Sequence, residues 1–335
     1  MRRPTTVRGG LAAAVLALGL AGLTACSGGG TPPQPTGTTA PTGVTTPAPS
    51  AAPTPAATVA SAADHAALAA VTVSGAAGAK PTVTLPATPF AVGAAVARTV
   101  TEGNGAAVAR GNLVTLQIVE VSGLTGGELG STWSGGAPLV TVADPGSLFG
   151  ELYDQLVTAH VGARLMVAAP QSSSGLTMTV VDVVDVLAAQ PVPARASGTA
   201  VTPPAGLPTV TLDANGAPSL TAATAAAPTT LVAQPLIKGT GPAVTKGQTV
   251  VVNYTGWLWN GTKFDSSWDR GTTFPVQNIG AAQVITGWNQ GLVGQTVGSQ
   301  VLLVVPPSLG YGTTAQGSIP ANSTLVFVVD ILAAA

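Results

Sequence analysis

The feature that most constrains this chain is that it matches itself. Glu102-Gly103-Asn104-Gly105-Ala106-Ala107-Val108-Ala109-Arg110-Gly111 stands 136 residues before Lys238-Gly239-Thr240-Gly241-Pro242-Ala243-Val244-Thr245-Lys246-Gly247, with five identities in ten and a basic residue before the last glycine of each. Further on, Leu129-Gly130-Ser131-Thr132-Trp133 answers Phe264-Asp265-Ser266-Ser267-Trp268, and Val161-Gly162 through Pro170 answers Val297-Gly298 through Pro306. Val183-Val184-Asp185-Val186-Leu187 answers Val328-Val329-Asp330-Ile331-Leu332. Self-similarity over such a length means that one fold occurs twice. Its expected limits are 80–190 and 216–335.

Each copy consists of short Val/Thr/Leu-rich runs bounded by Gly, Pro, Asn and Asp, the pattern of antiparallel strands with tight turns. In the second copy the runs are Thr249–Tyr254, Val301–Val305 and Leu325–Leu332, and Ala281–Leu292 is the one segment that reads as a helix, ending near Gly294. The expected class is α+β, with each copy a curved antiparallel sheet around one short helix and a hydrophobic hollow between them.

Composition narrows the function. Twelve Lys and Arg against thirteen Asp and Glu in 335 residues leave a net charge of -1. That gives no electrostatic footprint for nucleic acid. The one cysteine, Cys26, cannot form an intrachain disulfide or a cysteine-rich zinc cluster. It ends a segment, 1–26, with Arg2, Arg3 and Arg8 ahead of the apolar run Leu11–Leu23, the layout of a secretory signal and too short to span a membrane. Leu23-Thr24-Ala25-Cys26-Ser27 resembles a bacterial lipobox. That implies acylation of Cys26 and a lipid-anchored, extracytoplasmic protein on a bacterial membrane; the plainer alternative is an ordinary signal with an incidental cysteine. Residues 27–60, rich in Pro, Thr, Ala and Gly, have too little apolar surface to offset their chain entropy and read as a disordered tether.

No Ser-His-Asp set, metal-ligand spacing or phosphate-cradling glycine loop occurs in 216–335, and His65 and His160 both lie outside it. Aromatic residues are what cluster there. Tyr254, Trp257, Trp259, Phe264, Trp268, Phe274, Trp288, Tyr311 and Phe327 are nine of the thirteen in the chain. Density alone is satisfied by a filled β core.

The order of the motifs says more. Tyr254-Thr255-Gly256, Gly261-Thr262-Lys263-Phe264-Asp265-Ser266-Ser267, Val284-Ile285-Thr286-Gly287-Trp288, Leu309-Gly310-Tyr311-Gly312, Ile319-Pro320 and Thr324-Leu325-Val326-Phe327 together resemble the FKBP family of peptidyl-prolyl cis/trans isomerases. The resemblance covers the second copy almost end to end. It implies two tandem FKBP-like domains and, in the second, a shallow pocket for a prolyl ring with Trp288 as floor. Its walls would be Tyr254, Phe264, Phe274, Val284, Ile285, Ile319 and Phe327. Asp265 and Tyr311 would be polar groups at the mouth, Arg270 would brace Asp265 or Tyr254, and the Ile285 N–H would bind a ligand carbonyl. By the same resemblance Asp265, Tyr311, Trp288 and Phe264 carry catalysis, no cofactor or metal is needed, and the partners are proline-containing polypeptides and macrolide inhibitors. The pattern departs from the family after Tyr311, where Ala315-Gln316-Gly317-Ser318 is one residue short and Ser318 stands at a usually apolar position.

Read through the repeat, Tyr254, Phe264, Asp265, Phe274, Ile285 and Trp288 face Ile118, Leu129, Gly130, Leu139, Phe149 and Leu152. The first copy is therefore expected to keep the fold without the activity. Two function classes follow for the whole chain: an isomerase that speeds proline-limited folding of exported proteins, and a binding module that holds proline-containing segments without turnover.

Overall fold

The computed structural model describes residues 59–335 apart from 149, 174 and 175. The signal segment, Cys26 and nearly all of the tether lie outside the described residues, as does Phe149.

The first unit opens with helix α1 (Ala62–Ala70) and the hairpin β1 (Thr72–Ser74) and β2 (Thr82–Thr84). It continues through β3 (Val96–Thr101), β4 (Leu113–Ser122), β5 (Glu128–Ser131), β6 (Leu139–Val142), helix α2 (Gly150–Leu156), β7 (Arg164–Ser173) and β8 (Leu176–Gln190). The second opens with β9 (Thr199–Ala200) and the hairpin β10 (Thr209–Leu212) and β11 (Pro218–Thr221). After β12 (Val232–Lys238), β13 (Val250–Leu258) and β14 (Lys263–Ser266) come α3 (Ser267–Arg270), β15 (Phe274–Val276), α4 (Thr286–Gly291), β16 (Gln300–Val305) and β17 (Leu325–Ala334).

Both main sheets are antiparallel and share one strand order. The first runs β3-β7-β8-β4-β5 with β6 beside β4; the second runs β12-β16-β17-β13-β14 with β15 beside β13 and β9 added outside β12. The irregularities coincide too. Register shifts fall at Thr99/Thr101, Thr115/Leu116 and Glu120/Val121 in the first sheet, and at Pro235/Ile237, Val251/Val252 and Gly256/Trp257 in the second. A bulge bends its strand and sets the local twist. Three at matching positions give both sheets their bends in the same places.

Close backbone approach explains the glycines of the repeat. A Cβ on Gly105 would lie 2.8 Å from Val161 Cβ, and one on Gly241 would lie 2.8 Å from Val297 Cβ. No larger residue fits where this strap crosses the turn before β7 or β16.

Alternation along the central strands sends Val114, Leu116 and Ile118 toward Leu152 and Leu156 of α2, and Val250, Val252 and Tyr254 toward Trp288 of α4 and Leu292 just after it. The opposite faces are apolar as well and are covered. Leu68, Val71 and Phe90 pack on Val119, Met166 and Val183 of the first sheet, while Leu207, Val210 and Leu220 pack on Trp257, Leu302, Val326 and Val328 of the second. The expected starts at 80 and 216 are therefore too late. The packed units begin near Ser61, whose hydroxyl caps α1 by accepting from Asp64 N at 3.2 Å, and near Ala196. A further small cluster of Leu113, Val142, Val251 and Ala333 joins the two units.

The second helix is also shorter than its expected span of Ala281–Leu292. The Asn289 side chain holds residues 280–284 out of helical geometry: Oδ1 accepts from Gly280 N at 2.8 Å and Ala282 N at 2.9 Å, and Nδ2 donates to Ala282 O at 3.0 Å and Val284 O at 3.4 Å. Helix α4 starts only beyond that loop.

Candidate active site

Helix α4 delivers Trp288 to the concave face of the second sheet, and a glycine sets how deeply. A Cβ on Gly287 would stand 2.5 Å from Val305 Cγ1, so only glycine lets the helix lie this close to β16. Trp288 is consequently buried, with its Nε1 facing no hydrogen-bond acceptor among the described residues. Its ring centroid lies 5.1 Å from Tyr254, 5.3 Å from Phe327 and 6.3 Å from Phe274, all near-perpendicular. Phe264 meets Phe327 edge-on at 5.6 Å. Such pairs contribute about 0.5–1.5 kcal/mol each beyond area burial and fix one another's orientation.

Gly256 makes the last pair possible. It sits opposite Phe327 on β17 and Asp265 on β14. A Cβ there would meet Phe264 Cζ at 2.7 Å and Phe327 Cε1 at 3.0 Å. Sequence reading took this glycine as a family marker; the structure gives its steric reason.

The polar groups gather at one end. Asp265 accepts from the Tyr254 hydroxyl and from Arg270 Nη1, and Arg270 Nη2 donates to the Tyr254 hydroxyl at 3.0 Å, so three residues from β13, β14 and α3 form a closed triangle. Arg270 Cζ also lies 5.6 Å from the centre of the Tyr254 ring. The Asp265 and Arg270 side chains remain 38% and 47% exposed, which places them at the surface end of the cluster. Burial, and after it the hydrogen bond to Asp265, pushes the Tyr254 phenol up to about 12. Burial and the negative charge of Asp265 raise the Tyr311 phenol as well. Both phenols therefore stay protonated at neutral pH and can donate.

Two residues outside the expected site set hold the frame. The buried Ser267 hydroxyl accepts from Tyr254 N at 2.9 Å and donates to Asn253 Oδ1 at 3.0 Å. Asn289 fixes the loop that carries Val284 and Ile285. Ser267 closes the Phe264-Asp265-Ser266-Ser267 motif without an expected role, and Asn289 belongs to no aromatic or charged pattern that would flag it. Ile285 caps α4 without a side-chain hydrogen bond, and its own N–H has no acceptor among the described residues. Ile319 is buried against the core, pinned by paired backbone bonds with Gln316 at 2.9 Å. The loop tip at Ala315–Ser318 is exposed, and Tyr311 is 39% exposed. All the expected pocket residues, Tyr254, Phe264, Phe274, Val284, Ile285, Trp288, Ile319 and Phe327, belong to or pack on one cluster.

The corresponding face of the first unit differs. Ile118, Leu139 and Leu152 stand where Tyr254, Phe274 and Trp288 do, and Leu129, 46% exposed, stands in place of Phe264. Register puts Glu120 opposite Asp182, at the places of Gly256 and Phe327. Two carboxylates have thus entered this face. Glu120 Oε2 reaches to 2.9 Å from where a Cβ on Gly130 would stand, the position of Asp265. The long β16–β17 connection that carries Tyr311 and Ile319 is replaced by the direct β7–β8 hairpin.

Comparison with known proteins agrees with the second unit. The sequence profile described as FKBP-type peptidyl-prolyl cis-trans isomerase matches residues 241–332. The FK506-binding protein of Neisseria meningitidis is 44% identical over 103 residues, which are 30% of this chain and 94% of that protein. FK506-binding protein 2 of Dictyostelium discoideum is 52% identical over 87 residues, 26% of this chain and 65% of that one. The crystal structure of FkpA from Escherichia coli, 37% identical, is matched over 37% of this chain and 51% of that chain at a TM-score of 0.29, too low to bear on the fold. With 44% identity laid over nearly the whole of a relative, and the same residues meeting in one aromatic cluster, this chain belongs to the FKBP-type peptidyl-prolyl cis-trans isomerase family.

Proposed function

We propose that the second unit turns X–Pro bonds of exported polypeptides in its aromatic hollow, that the first unit is a non-catalytic copy of the same domain, and that acylated Cys26 attaches the chain to a bacterial membrane from outside. The observation that carries the catalytic part is the set of rings meeting edge-on around Trp288 beneath the Asp265–Arg270–Tyr254 triangle. Rotation about a prolyl amide faces a barrier of about 18–20 kcal/mol and makes or breaks no bond. A site for it needs a grip on the ring and an environment that prefers the twisted amide to the planar one. The twisted amide has lost resonance and is less polar, so a dry aromatic wall favours it. In this reading the ring lies over Trp288, the Ile285 N–H holds a substrate carbonyl, and Tyr311 and Asp265 orient the flanking chain by hydrogen bonds. FK506-type macrolides would compete for the same hollow.

The first unit supports the copy reading by its strand order and its bulges. The attachment rests on the sequence of 1–26 alone. A protease-coupled isomerisation assay on the full chain tests the catalytic assignment. Trp288→Leu, which gives the second unit the first unit's residue, should remove essentially all FK506-sensitive turnover. Turnover that survives it would put a working site in the first unit. Incorporation of a labelled fatty acid that depends on Cys26 tests the attachment, and equal labelling of Cys26→Ala would refute it.

A further inference from the structure

Asn289 stands outside the pocket lining, yet every hydrogen-bonding position of its side chain is used within one turn of the ligand loop. Oδ1 has two acceptor positions, filled by Gly280 N and Ala282 N; Nδ2 has two hydrogens, given to Ala282 O and Val284 O. The last of these bears on the site. The carbonyl of Val284 and the N–H of Ile285 belong to one planar peptide unit and point in opposite directions. A donor that fixes the carbonyl end therefore fixes the direction of the N–H end. The Ile285 N–H lies at the start of α4 with no acceptor of its own among the described residues.

We infer that Asn289 is a positioning residue for the isomerase site: through the Val284–Ile285 peptide it aims the N–H that receives the substrate carbonyl, and so acts on substrate binding more than on turnover. This rests on the reading of the Ile285 N–H as the carbonyl anchor. Asparagine is the side chain suited to it, since it is short enough to reach back from the second turn of α4 and offers two acceptor sites and two donors together. Aspartate has the same shape and keeps both acceptor positions. It would, however, turn a carboxylate oxygen toward the two carbonyls that Nδ2 now satisfies.

The test uses the full chain, a proline-containing tetrapeptide and FK506. In the wild type, the Ile285 amide resonance should shift on adding either ligand; if it does not, the anchor reading itself fails. With that established, Asn289→Asp should raise KM by about tenfold while kcat changes less than about twofold, the scale of one well-aligned hydrogen bond. A side chain that serves stability alone would lower the melting temperature and leave KM unchanged. The variant should also show a signature the wild type lacks: KM should fall back toward the wild-type value as pH drops and the carboxyl gains a proton to donate. Asn289→Ala, with no charge to titrate, should raise KM without that pH dependence. Unchanged KM in a folded Asn289→Asp, or a loss confined to kcat, would overturn the inference.

Discussion

The two sheets differ least where they are polar in the frame and most where the second is aromatic. In both, a hydroxyl after the fifth strand of the order pins the same backbone position: Thr132 Oγ1 accepts from Ile118 N at 2.8 Å, and Ser267 Oγ accepts from Tyr254 N at 2.9 Å. An aspartate on the last strand of each also holds the segment that leads in, Asp330 by accepting from Ala196 N at 2.8 Å and Asp185 by accepting from Gly78 N at 3.3 Å. Opposite these stand Gln300 and Arg164, which donate to Asp330 and Asp185. Pocket positions show no such agreement. Where Gly256 lets Phe264 and Phe327 meet edge-on, the first sheet has Glu120 facing Asp182. On the proposed copy reading, one scaffold keeps its strand order, bulges and polar pins while the side chains proposed to make the site are exchanged.

Putting the first unit's residue into the second is the strongest way to break this comparison. Phe327→Asp removes a ring that touches Tyr254, Phe264 and Trp288 and leaves a carboxyl in an apolar wall. Loss of stability of about 3–5 kcal/mol and at least about a hundredfold loss of kcat/KM are expected. Denaturant unfolding and the coupled assay measure them, and near-native activity would mean that the wall is not the site.

Arg164→Gln gives the first unit the second unit's frame residue. Arg164 is buried and donates to Asp185 and to the carbonyls of Gly75, Ala76 and Ala79. Loss of the guanidinium leaves a buried carboxylate short of its partner, which costs about 3 kcal/mol. The first unit should melt earlier while isomerase activity at 25 °C persists; a parallel loss of activity would show that catalysis depends on the first unit.

Asp182→Asn sharpens the contrast by pH. Burial, and after it the nearby Glu120, raise the Asp182 carboxyl from its ordinary 3.8 to about 7. Between those values the folded protein holds a proton that the unfolded chain has released, so stability falls as pH rises from about 4 to about 7 and then levels off. Glu120, also raised by burial, acts in the same direction. Asp182→Asn should raise first-unit stability at pH 8 and change it little at pH 4. Identical pH profiles for the two proteins would contradict the assignment. The smallest effect belongs to Tyr311→Phe, which removes one hydroxyl at the mouth and should lower kcat/KM by about two- to fivefold with no change in melting.

Much of this was legible in the sequence for definite reasons. Trp288, Phe264, Tyr254 and Phe327 could be placed because they fall in short motifs and because aromatics are scarce elsewhere in the chain. The repeat could be followed from Glu102 to Pro170 at a spacing of 135 or 136 residues. The spacing changes to 145 residues across the longer β16–β17 connection, and the match resumes at Val183 and Val328, one residue past Asp182 and Phe327, so the carboxylate pair went unseen. The outward faces were missed because their covers are thin. Leu207, Val210 and Leu220 lie among Gly, Pro and Thr with no sustained period, and only the pairing of β10 with β11 brings them together over Trp257. Helix α4 was drawn too long because Asn289 acts through its side chain on residues 280–284, a tertiary effect that no local propensity records.

The central claim is that one scaffold is used twice and only the second use takes substrate. A residue-resolved NMR titration of the full chain with a proline-containing tetrapeptide tests it most directly. The account predicts amide shifts at Ile285, Trp288, Tyr311 and Ile319 and none along β4, α2 and β8. Shifts along β4 and β8 of comparable size, or none around Trp288, would contradict it.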